Sequence, residues 1–353
     1  MQTGCPNPTP KGKQPDKARK KQVMPFQTRI GAVLHERYEI ERIIGQGGYG
    51  YIYLAQDQRL VGRYCAVKQV SYDPTFPPAM LQESRDQFMR EATVLARLDH
   101  PNMPKVSDFF SIEDNDFLVM DYIPGDDLRA LLAKAENGGR FLPEAEVLGW
   151  ALQIGDALTY LHTQDPPILH RDIKPSNIKV TPNGVVKLVD FGLVKLLAPG
   201  EVTITIMQGQ GTALYTPLEQ YGGESSHTDA RADIYAFACT LYHLLTNTPP
   251  ANVRDRFLNP ESLTAPRLLN PAISPKVEEA ILWGMALHPN DRPRDVREFV
   301  KALTGETTSR LRQLSNHNGY SNNGSLGPAE TRLAWTAAGL TFLSLLLTII
   351  HNL

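Results

Sequence analysis

Beyond Arg37, apolar and polar positions alternate in short runs rich in Tyr, Val and Ile, such as Tyr51-Ile52-Tyr53-Leu54 and Cys65-Ala66-Val67. This period-two pattern, continuing to about Met120, predicts β-strands. One helix interrupts them, its apolar face drawn by Phe88, Ala92 and Leu95. Glu91 lies three residues after Phe88 and four before Leu95, so its carboxylate is expected beside that face, pointing inward. After Pro124-Gly125 the period changes. Val147, Ala151, Ile154, Leu158 and Leu161 recur at helical spacing behind Pro143 and Glu144, both suited to a first turn, and burial in a core accounts for the stripe. Further helices are predicted near residues 231–246, 276–287 and 294–303. Strands followed by helices predict an α+β molecule with a β-rich lobe joined to an α-rich lobe.

The two ends of the chain differ from this middle. Residues 1–30 carry seven Lys and Arg against Asp16 alone, a charge of +6 that leaves −8 for the remainder of a chain whose net charge is −2. Five prolines and no apolar periodicity predict a disordered, solvated tail there, with anionic lipid or an acidic partner as the alternative reading. No apolar run follows the charges, so the tail is not a signal peptide. Residues 305–331 are rich in Ser, Asn and Gly and read as a flexible linker. Residues 332–353 then contain an uncharged run, Leu333 to Ile350, of 18 residues. Its nine Leu, Ile and Phe contribute about −3 to −5 kcal/mol toward insertion, which predicts a single transmembrane helix. Arg310, Arg312 and Arg332 precede it, so the positive-inside rule places the preceding domain in the cytoplasm. Only His351-Asn352-Leu353 follow, which gives the expectation of an anchor without an external sensor. Cys5, Cys65 and Cys239 are too few and too scattered for a disulfide framework or a zinc site, and suit a reducing compartment.

Candidate chemistry is concentrated between the ends. Gly45, Gly47 and Gly50 form G-x-G-x-x-G, a pattern shared with dinucleotide-binding turns and with plain hairpins. Here Gly50 runs into a strand rather than opening a helix, which disfavours the dinucleotide turn and leaves two readings open, a loop that folds over phosphates from between two strands and a plain hairpin turn. With Cys65-Ala66-Val67-Lys68, then HRDIKPSN at His170–Asn177 and Asp190-Phe191-Gly192 after a strand-like Val185–Val189, the sequence resembles the protein kinase family over about residues 37–303. GTALYTPLEQ at 211–220 resembles the form found in bacterial eukaryotic-like serine/threonine kinases. The resemblance implies a two-lobed kinase domain at 31–304, with an N-lobe at about 31–120 and a C-lobe at about 121–304.

It also implies roles. Gly45, Gly47, Gly50, Ile52, Ala66, Lys68, Asp121 and Ile123 would surround ATP, with Met120 limiting the depth of the adenine pocket. Lys68 would touch the α- and β-phosphates and pair with Glu91. Asp172 would orient the substrate hydroxyl and accept its proton, and Lys174 would neutralise charge on the phosphoryl group, a serine/threonine-kinase feature. Asn177 and Asp190 would hold Mg2+, or Mn2+ in its place. His170, Arg171, Glu219, Asp233 and Arg292 would be structural, Glu219 pairing with Arg292 and Asp233 bracing the catalytic loop. Arg171 implies control by phosphorylation at Thr203 or Thr205, and Thr212 would bond Asp172 and Lys174. The expected partners are protein substrates, the membrane, and a second copy for trans-autophosphorylation, and not nucleic acid. Pro217-Leu218-Glu219 departs from the family's Ala-Pro-Glu, and Ala238 stands where glycine is usual. A pseudokinase scaffold is disfavoured because Lys68, Asp172 and Asp190 are all present, and a small-molecule kinase because the activation segment is long.

Overall fold

The alternating segment forms a six-stranded antiparallel sheet in a computed structural model of the chain, which describes residues 27–47, 50–72, 75–190, 213–221 and 228–305. Its strands are β1 Val33–Leu34, β2 Tyr38–Gly47, β3 Gly50–Asp57, β4 Tyr64–Ser71, β5 Val106–Ile112 and β6 Asn115–Asp121, in the order β1-β2-β3-β4-β6-β5. Cross-strand partners share a face. Ile52 lies opposite Lys68, and Lys68 opposite Leu118, while Ala66 lies between Leu54 and Met120, so these six residues occupy one face. The helix α1, Pro78–Ala96, packs on that side through Phe88, whose ring centroid is 5.7 Å from that of Phe109.

The other face is an apolar core of Tyr38, Ile40, Tyr53, Ala55, Cys65, Val67, Phe110, Phe117 and Val119. Tyr38 of β2 stacks on Phe110 of β5 at 5.9 Å although these strands are well separated in the sheet order, so the sheet is curled around this core. Residues 27–30, expected in the disordered tail, belong to the fold. The Thr28 amide donates to Tyr53 Oη at 2.9 Å and its hydroxyl to Gln69 Oε1 at 2.8 Å, and Gln69 Nε2 donates to Asn115 Oδ1 at 3.0 Å. Thr28 is buried, so proline and charge counts over residues 1–30 obscured one residue that plugs the sheet. Residues 1–26 lie outside the described residues.

A turn at Pro124-Gly125 leads into the helical lobe. A Cβ on Gly125, whose φ is +104°, would lie 2.1 Å from the Val180 carbonyl oxygen, so this position requires glycine. The lobe contains a small sheet of β7 Asp126–Asp127, β8 Ile178–Val180 and β9 Val186–Leu188, and the helices α2 Leu128–Asn137 and α3 Glu144–His162. Asp127 caps α2 by accepting from the Ala130 amide at 2.8 Å. The predicted stripe on α3 is buried, joined by Trp150 and Ala157. The helix predicted at 231–246 is α4, Ala230–Thr246, and its residues are almost all buried. It is followed by α5 Val253–Leu258, α6 Pro266–Leu269, α7 Pro275–Gly284 and α8 Val296–Thr304. Phe237 of α4 meets Phe299 of α8 edge to face at 5.4 Å. The helix expected at 276–287 stops at Gly284, where the chain turns into the loop that carries Arg292. Among the described residues no helix is long and apolar enough to cross a membrane, and the run 333–350 and the linker lie outside them.

Candidate active site

The two sheets bring the candidate residues to one cleft. Asn177 immediately precedes β8 and Asp190 closely follows β9, and the Val189 amide donates to the Asn177 carbonyl at 2.8 Å, so the small sheet sets Asn177 and Asp190 side by side. The Asn177 amide nitrogen donates to the Asp172 carbonyl at 2.9 Å and to Asp172 Oδ2 at 3.0 Å. Lys174 Nζ lies 2.9 Å from the same carboxylate oxygen. With its nitrogen committed, Asn177 has its amide oxygen as the acceptor, and Ser176 Oγ donates to it at 3.3 Å. Asp190 is bonded through Oδ1 to Lys68 Nζ, which reaches it from the cleft face of β4. One amide oxygen and one carboxylate are hard donors of the kind Mg2+ accepts when phosphates and water complete its shell. Among the described residues no group of three or more His, Cys, Asp and Glu could hold a metal alone. The residues therefore fit a metal that arrives with its nucleotide.

Two strained residues mark the cleft. Arg171 has φ +64° and Asp190 φ +59°, a conformation side chains rarely adopt and one that persists only where the surroundings over-determine it. At Arg171 the determinant is Asp233 at the start of α4. Its carboxylate accepts the Arg171 amide and the His170 amide, each at 2.8 Å, and His162 Nε2 lies 2.9 Å away. Complete burial alone would raise the Asp233 carboxyl, but the bond with His162 and the nearby histidines and amide outweigh it and hold it below its ordinary value. His170 is buried beneath this loop. The sequence gives no sign of His162, which reaches Asp233 across 71 positions.

Lys68 and Glu91 are not paired, contrary to the expectation. Glu91 is half buried, its Oε1 accepts from Gln87 Nε2 at 2.7 Å, and its Oε2 is buried without a hydrogen-bond partner. Desolvation pushes its carboxyl up to about 7, against the opposing effects of Gln87, Arg171 and Lys68. The physical reason is competition at both ends: Asp190 takes the ammonium, and Gln87, one helical turn back, takes the carboxylate.

On the roof of the cleft Gly47 pairs with Gly50, and Gly45 with Ile52. A Cβ on Gly50 would lie 2.0 Å from the Gln69 carbonyl oxygen, so the hairpin lies directly against β4 and admits no side chain there. Met120 lines a cavity of about 20 Å³ together with Leu95, Val106, Leu118, Lys68 and Asp190. Asp121 closes β6, and its side chain accepts from the Lys105 amide at 3.0 Å, while Ile123 is buried. Thr203, Thr205 and Thr212, with Phe191 and Gly192, lie outside the described residues. At the far end of the activation segment Glu219 forms a bidentate pair with Arg292, at 2.6 and 3.2 Å. The Arg292 side chain is fully buried and also donates to the carbonyls of Arg231, Ala286 and Leu287.

Residues 38–305 match the protein kinase domain model. A probable serine/threonine-protein kinase of Streptomyces coelicolor is 35% identical over 274 residues, which is 74% of this chain and 39% of that protein. The serine/threonine-protein kinase PknE of Mycobacterium tuberculosis is 33% identical over 263 residues, 72% of this chain and 43% of that protein. The chain thus spans about two fifths of the length of the curated relatives it matches. Among solved structures, the kinase domain of Mycobacterium tuberculosis PknI has 28% identity and a TM-score of 0.60, covering 79% of this chain and 100% of its own. The apo form of PpkA-294 has 25% identity and a TM-score of 0.65, covering 78% of this chain and 99% of its own. With the domain matched over most of the chain, this protein belongs to the protein kinase family, among the bacterial eukaryotic-like serine/threonine kinases.

Proposed function

We propose that the chain transfers the γ-phosphate of ATP to serine and threonine hydroxyls of proteins. The observation that carries this reading is the convergence of Asp172, Lys174 and Asn177 in one hydrogen-bonded group beside Asp190 and Lys68. A serine or threonine hydroxyl attacks the γ-phosphorus, its bond to the β–γ bridging oxygen breaks, and ADP leaves. Asp172 orients the hydroxyl and accepts its proton, and Lys174 offsets negative charge on the phosphoryl oxygens. A bound Mg2+, held by Asn177 and Asp190, would supply charge neutralisation between the phosphates. Lys68 and Asp190 neutralise each other here, and the nucleotide offers each an alternative partner: phosphate oxygens for the ammonium, metal for the carboxylate. Lys68, once released from Asp190, would be free to pair with Glu91, as the family resemblance implies.

The test is transfer of labelled phosphate by the purified full chain with Mg·ATP. Lys68→Met should abolish transfer because it removes the phosphate contact, and Asp172→Asn because it removes the proton acceptor. Wild-type rates in either variant would refute the assignment.

We further infer that the chain is held at a cytoplasmic membrane face through residues 333–350 and autophosphorylates between copies at Thr203 and Thr205. The uncharged run preceded by Arg310, Arg312 and Arg332 supports the first, and the position of Arg171 beside Asp172 supports the second. Full-length protein that stays soluble after carbonate washing without detergent would refute the anchor. Unchanged activity with alanine at both threonines would refute the regulatory sites.

A further inference from the structure

The sequence Arg29-Ile30-Gly31-Ala32 turns the chain back on itself just ahead of β1. The Ala32 amide donates to the Arg29 carbonyl at 3.1 Å, and Gly31, with φ +82°, stands at the third position, where a turn of this hand takes glycine. The Gly31 amide donates to the Ile40 carbonyl at 2.7 Å, which fastens the turn to β2. Thr28 is thereby carried onto the sheet. It precedes residue 38, where the kinase domain begins, and it is only 6% exposed.

Its two donors meet two buried side chains on the face opposite Lys68. Tyr53 Oη accepts the Thr28 amide and itself donates to Gln69 Oε1 at 2.9 Å, while the Thr28 hydroxyl donates to the same Oε1. Gln69 Nε2 donates to Asn115 Oδ1, which also accepts from Ser71 Oγ at 2.6 Å. Tyr53, Gln69 and Asn115 are all buried, so these bonds lie out of water, where the loss of one is felt most. Both residues that Thr28 holds bear on the glycine hairpin. Gln69 turns its side chain to Thr28 while its carbonyl oxygen lies directly against Gly50. The ring of Tyr53 is 6.0 Å from that of Tyr51, the residue after Gly50, and Gln46 on the facing strand lies 3.5 Å from Tyr51 Oη.

We propose that Thr28 is a positioning residue for the nucleotide: by fixing Gln69 and Tyr53 from the far face of the sheet it sets the glycine hairpin over the phosphates. Linkage makes the effect mutual, so a bound nucleotide tightens the hold on residues 27–32. The inference rests on the phosphotransfer reading in one respect, that the cleft takes a nucleotide.

The experiment is calorimetric titration of the full chain in detergent with Mg·ADP. Thr28→Val removes the hydroxyl and keeps the shape, and it should raise the Kd about three- to fivefold, as loss of one buried hydrogen bond would. Thr28→Ser keeps the hydroxyl and should bind within about twofold of the unaltered chain. In the unaltered chain, saturating Mg·ADP should slow amide hydrogen exchange over residues 27–32 by about threefold or more. A merely structural Thr28 would lower the melting temperature and leave the Kd alone. A Kd within about twofold of the unaltered chain in Thr28→Val overturns the proposal, as does failure of Thr28→Ser to restore binding, or exchange over 27–32 that ignores the nucleotide. Should Thr28→Val not fold, the exchange measurement on the unaltered chain decides. Binding of Mg·ADP without phosphotransfer refutes the functional reading alone, and no binding of Mg·ADP by the unaltered chain overturns both.

Discussion

Replacing Glu91 with glutamine separates the energetic role of this carboxylate from its catalytic one. In the structure the charged form of Glu91 is penalised: it is half buried, one oxygen has no partner, and its carboxyl is pushed up to about 7 from an ordinary 4.5. The folded state thus binds a proton more tightly than the unfolded chain does. Its stabilising contribution is fully present below about pH 4.5, declines as pH rises through about 7 and levels off above it. The gap between 4.5 and about 7 corresponds to about 3 kcal/mol. Discounted for solvent screening of a half-buried group, about 1–2 kcal/mol is the realistic figure.

Glu91→Gln keeps the shape and the acceptor for Gln87 but cannot ionise. Without nucleotide, the variant should lie within about 0.5 kcal/mol of the wild type at pH 5 and exceed it at pH 8 by about 1–2 kcal/mol, a few degrees in melting temperature for a domain of this size. Differential scanning fluorimetry of both proteins across pH 5–8 measures this directly, and taking the difference cancels titration of the histidines. Phosphotransfer should move the opposite way, because the variant offers Lys68 no carboxylate once the nucleotide draws it from Asp190. A variant that is less stable than the wild type at pH 8 would refute the reasoning, since that is the outcome if Lys68 and Glu91 are already paired without ligand.

Arg292→Met removes one partner of a buried pair and leaves Glu219 and three carbonyls without their donor, so it should cost about 3–5 kcal/mol in denaturant unfolding; a loss under about 1 kcal/mol would show that the pair is dispensable. Gly50→Ala forces a methyl against the Gln69 carbonyl and should cost about 1–3 kcal/mol while raising the ATP KM about tenfold, and an unaltered ATP KM would mean that the hairpin does not roof the nucleotide. Asp233→Asn weakens the acceptor that holds Arg171 at positive φ, so kcat should fall about tenfold or more with the ATP KM little changed; kcat within twofold of wild type would free the loop geometry from Asp233.

What was legible in the sequence follows from how locally each contact is encoded. Asp172, Lys174 and Asn177 bond one another within five residues, so a single string specifies the loop. The bond from Lys68 to Asp190 without nucleotide was not legible, because the partner of Lys68 depends on where α1 sits against the sheet, a tertiary distance, and because Gln87 competes for Glu91 at the i, i+4 spacing that the sequence does display. The short strands β7 to β9 have two or three residues each, too few to show a period, and α2 is a ten-residue helix whose buried positions are only Leu128, Leu132 and Ala135.

The helix α4 shows how more could have been read. It is apolar on nearly every side, the pattern of a helix buried all round, and a buried polar group must find a partner. Thr240 and Thr246 find theirs within the helix, each hydroxyl donating to the carbonyl four residues back. Asp233 cannot do the same, because a carboxylate cannot donate to a carbonyl, and His243 is bonded outside the helix. Their partners therefore had to lie on other segments. In the structure those segments are the catalytic loop with His162 for one, and the end of the activation segment for the other.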